Sequence, residues 1–172
     1  SRTDQVEWVG TMEPHPLIGV VPRAHSVLKE YYPDKPRGYF KQEDMRERRW
    51  ALRADGENNA TMELPSDDPK AIRVAIRKAV TGQPYNIQLN QPGLHLKAHQ
   101  QYLLSFRARA EATRTISFGV SKNHEPWDDL GLYRTIPLTS NWTDFREEFV
   151  AKEDDNKVRI LFDLGQSASA VE

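Results

Sequence analysis

Apolar and polar residues alternate along most of the chain from Arg48 onwards, and turn residues separate the alternating runs. Leu104, Phe106 and Ala108 alternate with polar side chains, and the same period of two recurs at 116–121 and 158–164. This period places the apolar residues on one face of a β-strand. The pattern predicts nine strands, at residues 48–54, 60–64, 71–79, 85–90, 101–110, 114–121, 132–138, 143–151 and 157–164.

The segment 71–79 also has features of a helix. Asp68 followed by Pro69 is typical of a helix start, and Gly82 would end such a helix. In a strand, the β-branched residues of the segment would instead alternate with outward-facing arginines. Because β-branched residues favour strands, we predict a strand here, with a helix as the alternative.

Nine strands without a convincing helix predict an all-β fold, a β-sandwich or jelly roll. One polar face per strand is typical of antiparallel sheets packed on one side. We expect this domain at residues 42–172, preceded by an arm at residues 1–41. The arm holds five of the 11 prolines together with many apolar residues. Since proline lacks a backbone donor, we predict an extended, ordered, proline-rich arm that packs on the main domain.

Composition and charge exclude several kinds of function. With 24 basic and 25 acidic residues the net charge is −1, which gives no support to a nucleic-acid partner. The absence of cysteine rules out disulfides, zinc ribbons and thiol nucleophiles. No apolar run approaches the roughly 20 residues of a membrane helix, and the polar start predicts no signal peptide.

Catalytic and metal-binding patterns are also weak. His95 and His99 have the spacing of a helical metal pair but lie in a predicted turn. Three pairs of adjacent aspartates resemble turn residues rather than a separated acid and base; they are 67–68, 128–129 and 154–155. No nucleophile elbow, P-loop or dinucleotide fingerprint occurs. We therefore predict no cofactor and no catalytic activity, and regard a hydrolase as the least supported alternative.

Four segments carry a resemblance to a known family. They are 84–91 (PYNIQLNQ), 102–110 (YLLSFRARA), 141–145 (NWTDF) and 159–166 (RILFDLGQ). In this order they resemble the motifs of the carbohydrate-binding modules grouped as families 4, 9 and 22. The resemblance covers about residues 45–172. It implies a galactose-binding-like jelly roll of two antiparallel sheets, a strand at 71–79, a carbohydrate partner, and an extracellular or periplasmic protein with further linked domains.

Two features depart from the family pattern. The usual opening motif is replaced by 37–41 (RGYFK), and the chain reaches Glu172 where the closing strand should begin. These two segments often supply a structural calcium site in the family, so calcium is not supported here. A jelly roll without its closing strand exposes a sheet edge. Either the arm 1–41 covers that edge or the closing strand lies beyond Glu172.

Sugar sites need flat aromatic rings and hydrogen-bonding side chains. Trp127 lies in a polar loop at 122–131 with no obvious core to enter, and Tyr133 follows closely. We predict that both rings stack on the sugar. The alternatives are that Trp127 anchors its loop and that Tyr133 is an ordinary strand residue.

Polar candidates alternate with apolar residues in three of the predicted strands or lie just after one. If these strands share a sheet, the polar side chains share one face, as the amides and an arginine do on the concave face of the resembled modules. The candidates are Gln88, Asn90, Arg107, Arg109, Asp163 and Gln166. The alternative is a solvated face of paired charges.

A structural or interaction domain of the same fold is the main rival to a sugar-binding module. Its concave face would be blocked, for example by the arm 1–41, it would bind no sugar, and Trp127 and Tyr133 would be buried. In either case we assign a set of aromatic residues to the core: Tyr102, Phe106, Trp142, Phe145 and Phe149. Trp50 is compatible with the core or the surface.

Overall fold

The computed structural model describes residues 17–19, 50–63 and 71–172. The remainder of the predicted arm at 1–41 lies outside these residues. The described part contains ten strands: β1 (Leu17–Gly19), β2 (Ala51–Ala54), β3 (Asn59–Glu63), β4 (Arg73–Lys78), β5 (Ile87–Leu96), β6 (Gln101–Ala108), β7 (Arg114–Lys122), β8 (Asp129–Leu138), β9 (Thr143–Val150) and β10 (Asp155–Asp163). A 3₁₀ turn at Pro84–Asn86 precedes β5.

All nine predicted strands are present as β2–β10, which confirms the all-β prediction. Segment 71–79 forms a strand over Arg73–Lys78, so the β-branched content outweighs the helix-start signal. Val74 and Ile76 are buried there. Strand β8 begins at Asp129, three residues earlier than predicted. The loop that carries Trp127 is therefore shorter than its polar sequence indicates.

The strands form two layers. One is a five-stranded antiparallel sheet in the order β2-β5-β10-β7-β8. The other contains the three-stranded sheet β1-β6-β9 and the hairpin β3-β4. Val171 bridges both Val74 on β4 and Ala110 just beyond β6, and so joins the hairpin to the three-stranded sheet. The result is the predicted jelly-roll sandwich.

Aromatic rings fill the space between the layers. Phe106 on β6 meets Phe118 on β7 and Phe162 on β10 edge to face, with centroid distances of 4.8 and 5.0 Å. This arrangement suits the ring quadrupoles as well as burying apolar surface. Trp50 is also buried in this core.

Most of the predicted core aromatics are where the alternation places them. Tyr102, Phe106 and Phe149 are buried, and Phe145 packs against them. The prediction that Trp142 lies in the core is wrong. Because Phe145 faces inward on β9, the even-numbered positions before it face away from the core, and Trp142 is half-buried on the outer side.

The edge of β6 opposite β9 has two neighbours. Residues 17–19 pair with Leu103–Ser105 in parallel, which is the sole parallel pairing among the described strands. Farther along, Arg109 and Glu172 exchange both backbone hydrogen bonds at 2.9 Å. A short piece of the predicted arm and the residues up to Glu172 therefore share the edge where a closing strand was expected.

Candidate functional site

Alternate residues of the five-stranded sheet point away from the core and form one polar surface, here called the polar face. The register aligns Gln88 of β5, Asp163 of β10 and Ser117 of β7 in one row. Arg53 of β2 extends this row at one edge, and Thr135 of β8 extends it at the other. The adjacent row includes Asn90, Leu161, Gly119 and Tyr133.

A hydrogen-bonded network runs across the polar face. Gln88 Nε2 donates to Asp163 Oδ1 at 2.8 Å, and an Arg159 terminal nitrogen donates to Gln88 Oε1 at 3.0 Å. Arg159 Nε also donates to Ser121 Oγ at 3.0 Å. Gln88, Asp163 and Arg159 are each at most 8% exposed. Because buried polar groups are costly unless they are bonded, this network holds its members in fixed positions.

Tyr133 lies across the polar face above a glycine. A Cβ added to Gly119 would be 3.0 Å from Tyr133 Cδ1, so the missing side chain makes room for the ring. The Tyr133 hydroxyl donates to Asp163 Oδ2 at 2.7 Å. Burial, followed by Asp163, raises the pKa of Tyr133 to about 12, so the hydroxyl is a donor at neutral pH. The ring nevertheless remains 46% exposed.

Trp127 projects from the loop between β7 and β8. Its backbone lies in the left-handed region at φ 68°, and its N–H donates to the His124 carbonyl at 2.8 Å. The imidazole of His124 contacts Asp155 Oδ2 at 2.8 Å and the Glu125 carbonyl at 2.7 Å. The loop is thereby tied to β10.

One face of the Trp127 ring covers the Arg159 guanidinium, whose central carbon is 5.1 Å from the ring centroid. The ring is 49% exposed, so much of its other face is accessible to a ligand. Trp127 and Tyr133 therefore present two half-exposed aromatic surfaces over one polar network. A domain with buried Trp127 and Tyr133, the rival described above, does not fit these exposures.

Three residues on or beside this surface are not among the candidates predicted from the sequence. Arg159 alternates with Val158 and Ile160, a pattern that could have placed it beside Asp163. Arg53 pairs with Gln88 in register, and its guanidinium donates to the Tyr85 carbonyl at 3.1 Å. Tyr85, in the 3₁₀ turn before β5, is 48% exposed. Its isolated position before a strand gives no alternation signal.

Two arginines predicted to share this face do not. Arg107 lies on β6, in the opposite sheet, and Arg109 follows it. Both guanidiniums cover Trp142, at 5.0 and 4.5 Å from its ring centroid, and Arg109 also binds Glu172. The prediction failed because it assumed that strands β5 and β6 share a sheet.

The remaining candidates are on or beside the polar face. Asn90 is half-buried in the row of Tyr133. Gln166 lies just after β10 with φ 70°, and its side-chain nitrogen donates to the Gly82 carbonyl at 2.5 Å. Gln166 is thus exposed in a loop near the start of β5 rather than in the row of Gln88.

A sequence model of the carbohydrate-binding domain family matches residues 41–169. The chain belongs to this family. Among solved structures, it is similar to a family 4 carbohydrate-binding module, with 26% identity and a TM-score of 0.61 over 71% of this chain and 80% of that one. It also resembles the N-terminal cellulose-binding domain of Cellulomonas fimi β-1,4-glucanase C, with 24% identity and a TM-score of 0.51 over the same shares. No curated protein sequence matches the chain.

Membership of the carbohydrate-binding domain family identifies residues 41–169 as a sugar-binding module of a non-catalytic type. Within 50–63 and 71–172, no three histidine, cysteine or acidic side chains are grouped to hold a metal ion. In the same part of the molecule, no helix has the length and apolarity to cross a membrane.

Proposed function

We propose that this module binds its sugar on the polar face of the five-stranded sheet. The observation that carries the proposal is the placement of Trp127 and Tyr133, both about half exposed, over a network of fixed polar side chains. Aromatic rings pack against the apolar C–H face of a pyranose, and polar groups beside them bind its hydroxyls.

The two groups of side chains have different tasks in this proposal. Trp127 and Tyr133 stack on sugar rings, and Asn90 and Arg159 donate hydrogen bonds to oxygen atoms of the sugar. Gln88 and Asp163 are almost fully buried and already bonded, so they act by holding their neighbours in place. Gln166 borders the site.

The polar face is wide enough for several sugar units. Four gaps of about 4.8 Å separate β2 from β8, which gives a width of roughly 19 Å. Exposed Tyr85 lies beside the β2 edge, at the opposite side from Tyr133. This width suits a polysaccharide or a long oligosaccharide. We propose further that the module is an accessory domain that brings a linked carbohydrate-active protein to its substrate.

A glycan array and retention on insoluble polysaccharides test the site. Wild type is compared with Trp127→Ala, Tyr133→Ala and the control Trp142→Ala, which removes an aromatic ring from the opposite sheet. We expect Trp127→Ala and Tyr133→Ala each to weaken binding at least tenfold, about 1.4 kcal/mol or more. Trp142→Ala should bind as wild type does.

Thermal melting of each variant shows that it is folded. Binding that survives both polar-face substitutions but is lost in Trp142→Ala would move the site to the outside of the three-stranded sheet. A folded wild-type protein that binds no glycan would favour the structural-domain alternative.

A further inference from the structure

Arg159 is a nearly buried cation whose contacts are with neutral groups. It is 8% exposed and bonded to Ser121 Oγ and Gln88 Oε1, with the Trp127 ring above it. Its second terminal nitrogen has no hydrogen-bond partner in the described part of the chain. Because a guanidinium carries five N–H donors, about three remain for a ligand.

A second cation stands on the same face. Arg53 lies on the β2 edge and pairs in register with Gln88, whose amide also receives the Arg159 hydrogen bond. Arg53 is about half exposed and contacts Asp55 at 3.2 Å. Arg53 and Arg159 therefore lie on different strands of the polar face, and the guanidinium of Arg53 also donates to the Tyr85 carbonyl at the edge of that face.

One cation, Arg53, and one anion, Asp163, influence the Arg159 guanidinium, and neither is hydrogen-bonded to it. Burial, followed by repulsion from Arg53, lowers the pKa of Arg159, and the attraction of Asp163 is the smaller effect. The Asp163 carboxylate is already bonded to Gln88 and to Tyr133. A negatively charged ligand at this point would relieve the repulsion between the two arginines.

We propose that the sugar bound on the polar face carries a carboxylate, which Arg159 and Arg53 bind together. The ligand class is a polysaccharide that contains uronic acid. This inference rests on the proposed function, because it identifies the substrate of that same site. The planar guanidinium matches a carboxylate with two parallel hydrogen bonds, and such charge-assisted bonds are about twice as strong as neutral ones. A neutral hydroxyl could accept from the same donors, but it would not give the nearly buried Arg159 a charged partner.

The test compares each acidic polysaccharide with its carboxyl-reduced form, which differs only in that group. The probes are polygalacturonate, alginate and glucuronoxylan, measured by titration calorimetry at low and high salt. We expect one acidic polymer to bind at least tenfold more tightly than its reduced form. The difference should shrink as salt rises, since screening weakens charge–charge attraction.

Substitutions test whether the two arginines cause the preference for the acidic polymer. Arg53→Gln and Arg159→Gln should each remove most of the preference for the acidic form. Arg146→Gln removes the same charge from the outer side of the three-stranded sheet and should keep the preference. If Arg159→Gln fails to fold, Arg53→Gln on its exposed edge decides the question.

The outcomes separate this inference from the function it rests on. If the reduced polymers bind equally well or better, and Trp127→Ala abolishes that binding, the carboxylate inference is overturned and the site stands. If no polymer binds, or if acidic polymers bind equally well to Trp127→Ala, both are overturned. Loss of the preference in Arg146→Gln alone would also overturn the inference.

Discussion

The hydroxyl of Tyr133 donates a hydrogen bond to Asp163 across an intervening strand. Tyr133 is on β8 and Asp163 on β10, with β7 between them, and the bond measures 2.7 Å. The side chain spans this distance because Gly119 of β7 leaves the space beneath the ring open. The Tyr133 side chain thus links β8 to β10, while its ring stays half exposed on the polar face.

We expect this tie to be measurable as an energetic coupling. Tyr133→Phe keeps the ring but removes the donor, and should lower the free energy of unfolding by about 1 kcal/mol. In a double-mutant cycle with Asp163→Asn, denaturant unfolding should give a coupling of about 1 kcal/mol. Effects that add to within about 0.3 kcal/mol would show that the bond has no net influence on stability.

Gly119→Ala tests whether the position of Tyr133 matters for binding. The added Cβ would be 2.4 Å from the Leu132 carbonyl oxygen and 3.0 Å from Tyr133 Cδ1, so β8 and the ring must shift. We expect a loss of about 1–3 kcal/mol in stability together with weaker sugar binding. Gly56→Ala is the control, because φ 61° makes alanine unfavourable there by about 1 kcal/mol while nothing lies within 4 Å. Unchanged binding in Gly119→Ala would show that the ring position is not critical.

The strands were predictable because each one packs on a single core. A period of two identifies the inner and outer residues of a strand without knowledge of its neighbours. Which strands share a sheet is a different question, since it depends on the path of the chain between them. Gln88 and Asp163 were placed correctly together, but Arg107 was assigned to the wrong sheet for this reason.

The sequence indicates some residues of the polar face, but it does not indicate the hydrogen bonds between them. Asp163 was recognised as a polar strand residue, yet its bonds to Gln88 and Tyr133 depend on register across three strands. Arg159 has the same alternation signal, but that signal alone does not separate it from the other polar strand residues. Tyr85 could not be found by alternation, because it precedes its strand in a 3₁₀ turn.

Arg114 should be important for stability because its side chain holds the turn after β10. Its guanidinium donates to the backbone carbonyls of Leu164, Ser167 and Ser169, among others, and fixes the turn after β10. Burial lowers its pKa to about 10, so it remains charged at neutral pH. We expect Arg114→Met to lower stability by about 3 kcal/mol, since several carbonyls lose a charged donor. For a chain of this size, the melting temperature should fall by roughly 6–12 °C.

Arg146→Met is the matched control for this substitution, because Arg146 is exposed on β9. It should change the melting temperature by no more than about 2 °C, as is usual for surface substitutions. Equal effects of the two substitutions would contradict a structural role for the Arg114 hydrogen bonds.

The loop that carries Trp127 should respond to pH through His124. Both ring nitrogens of His124 face acceptors, Asp155 Oδ2 at 2.8 Å and the Glu125 carbonyl at 2.7 Å, an arrangement that favours the doubly protonated ring. The bond to Asp155, followed by that to Glu125, raises the pKa of His124 above its usual 6.5, and the nearby Lys122 opposes the shift. Although burial works to raise the pKa of Asp155, hydrogen bonds from Lys157 and His124 lower it, so Asp155 is ionised in this range.

Protonated His124 stabilises the folded state because the pKa of its ring is higher there than in the unfolded chain. This stabilisation is complete below pH 6.5 and is lost as the pH rises through the pKa of His124 in the folded state. Melting temperature and sugar affinity measured from about pH 5.5 to pH 8.5 should both decline over the upper part of this range. His124→Gln cannot become protonated and should remove this pH dependence while leaving the fold intact. If the variant and the wild type decline in parallel, another group is responsible, and the contact between His124 and Asp155 does not control the Trp127 loop.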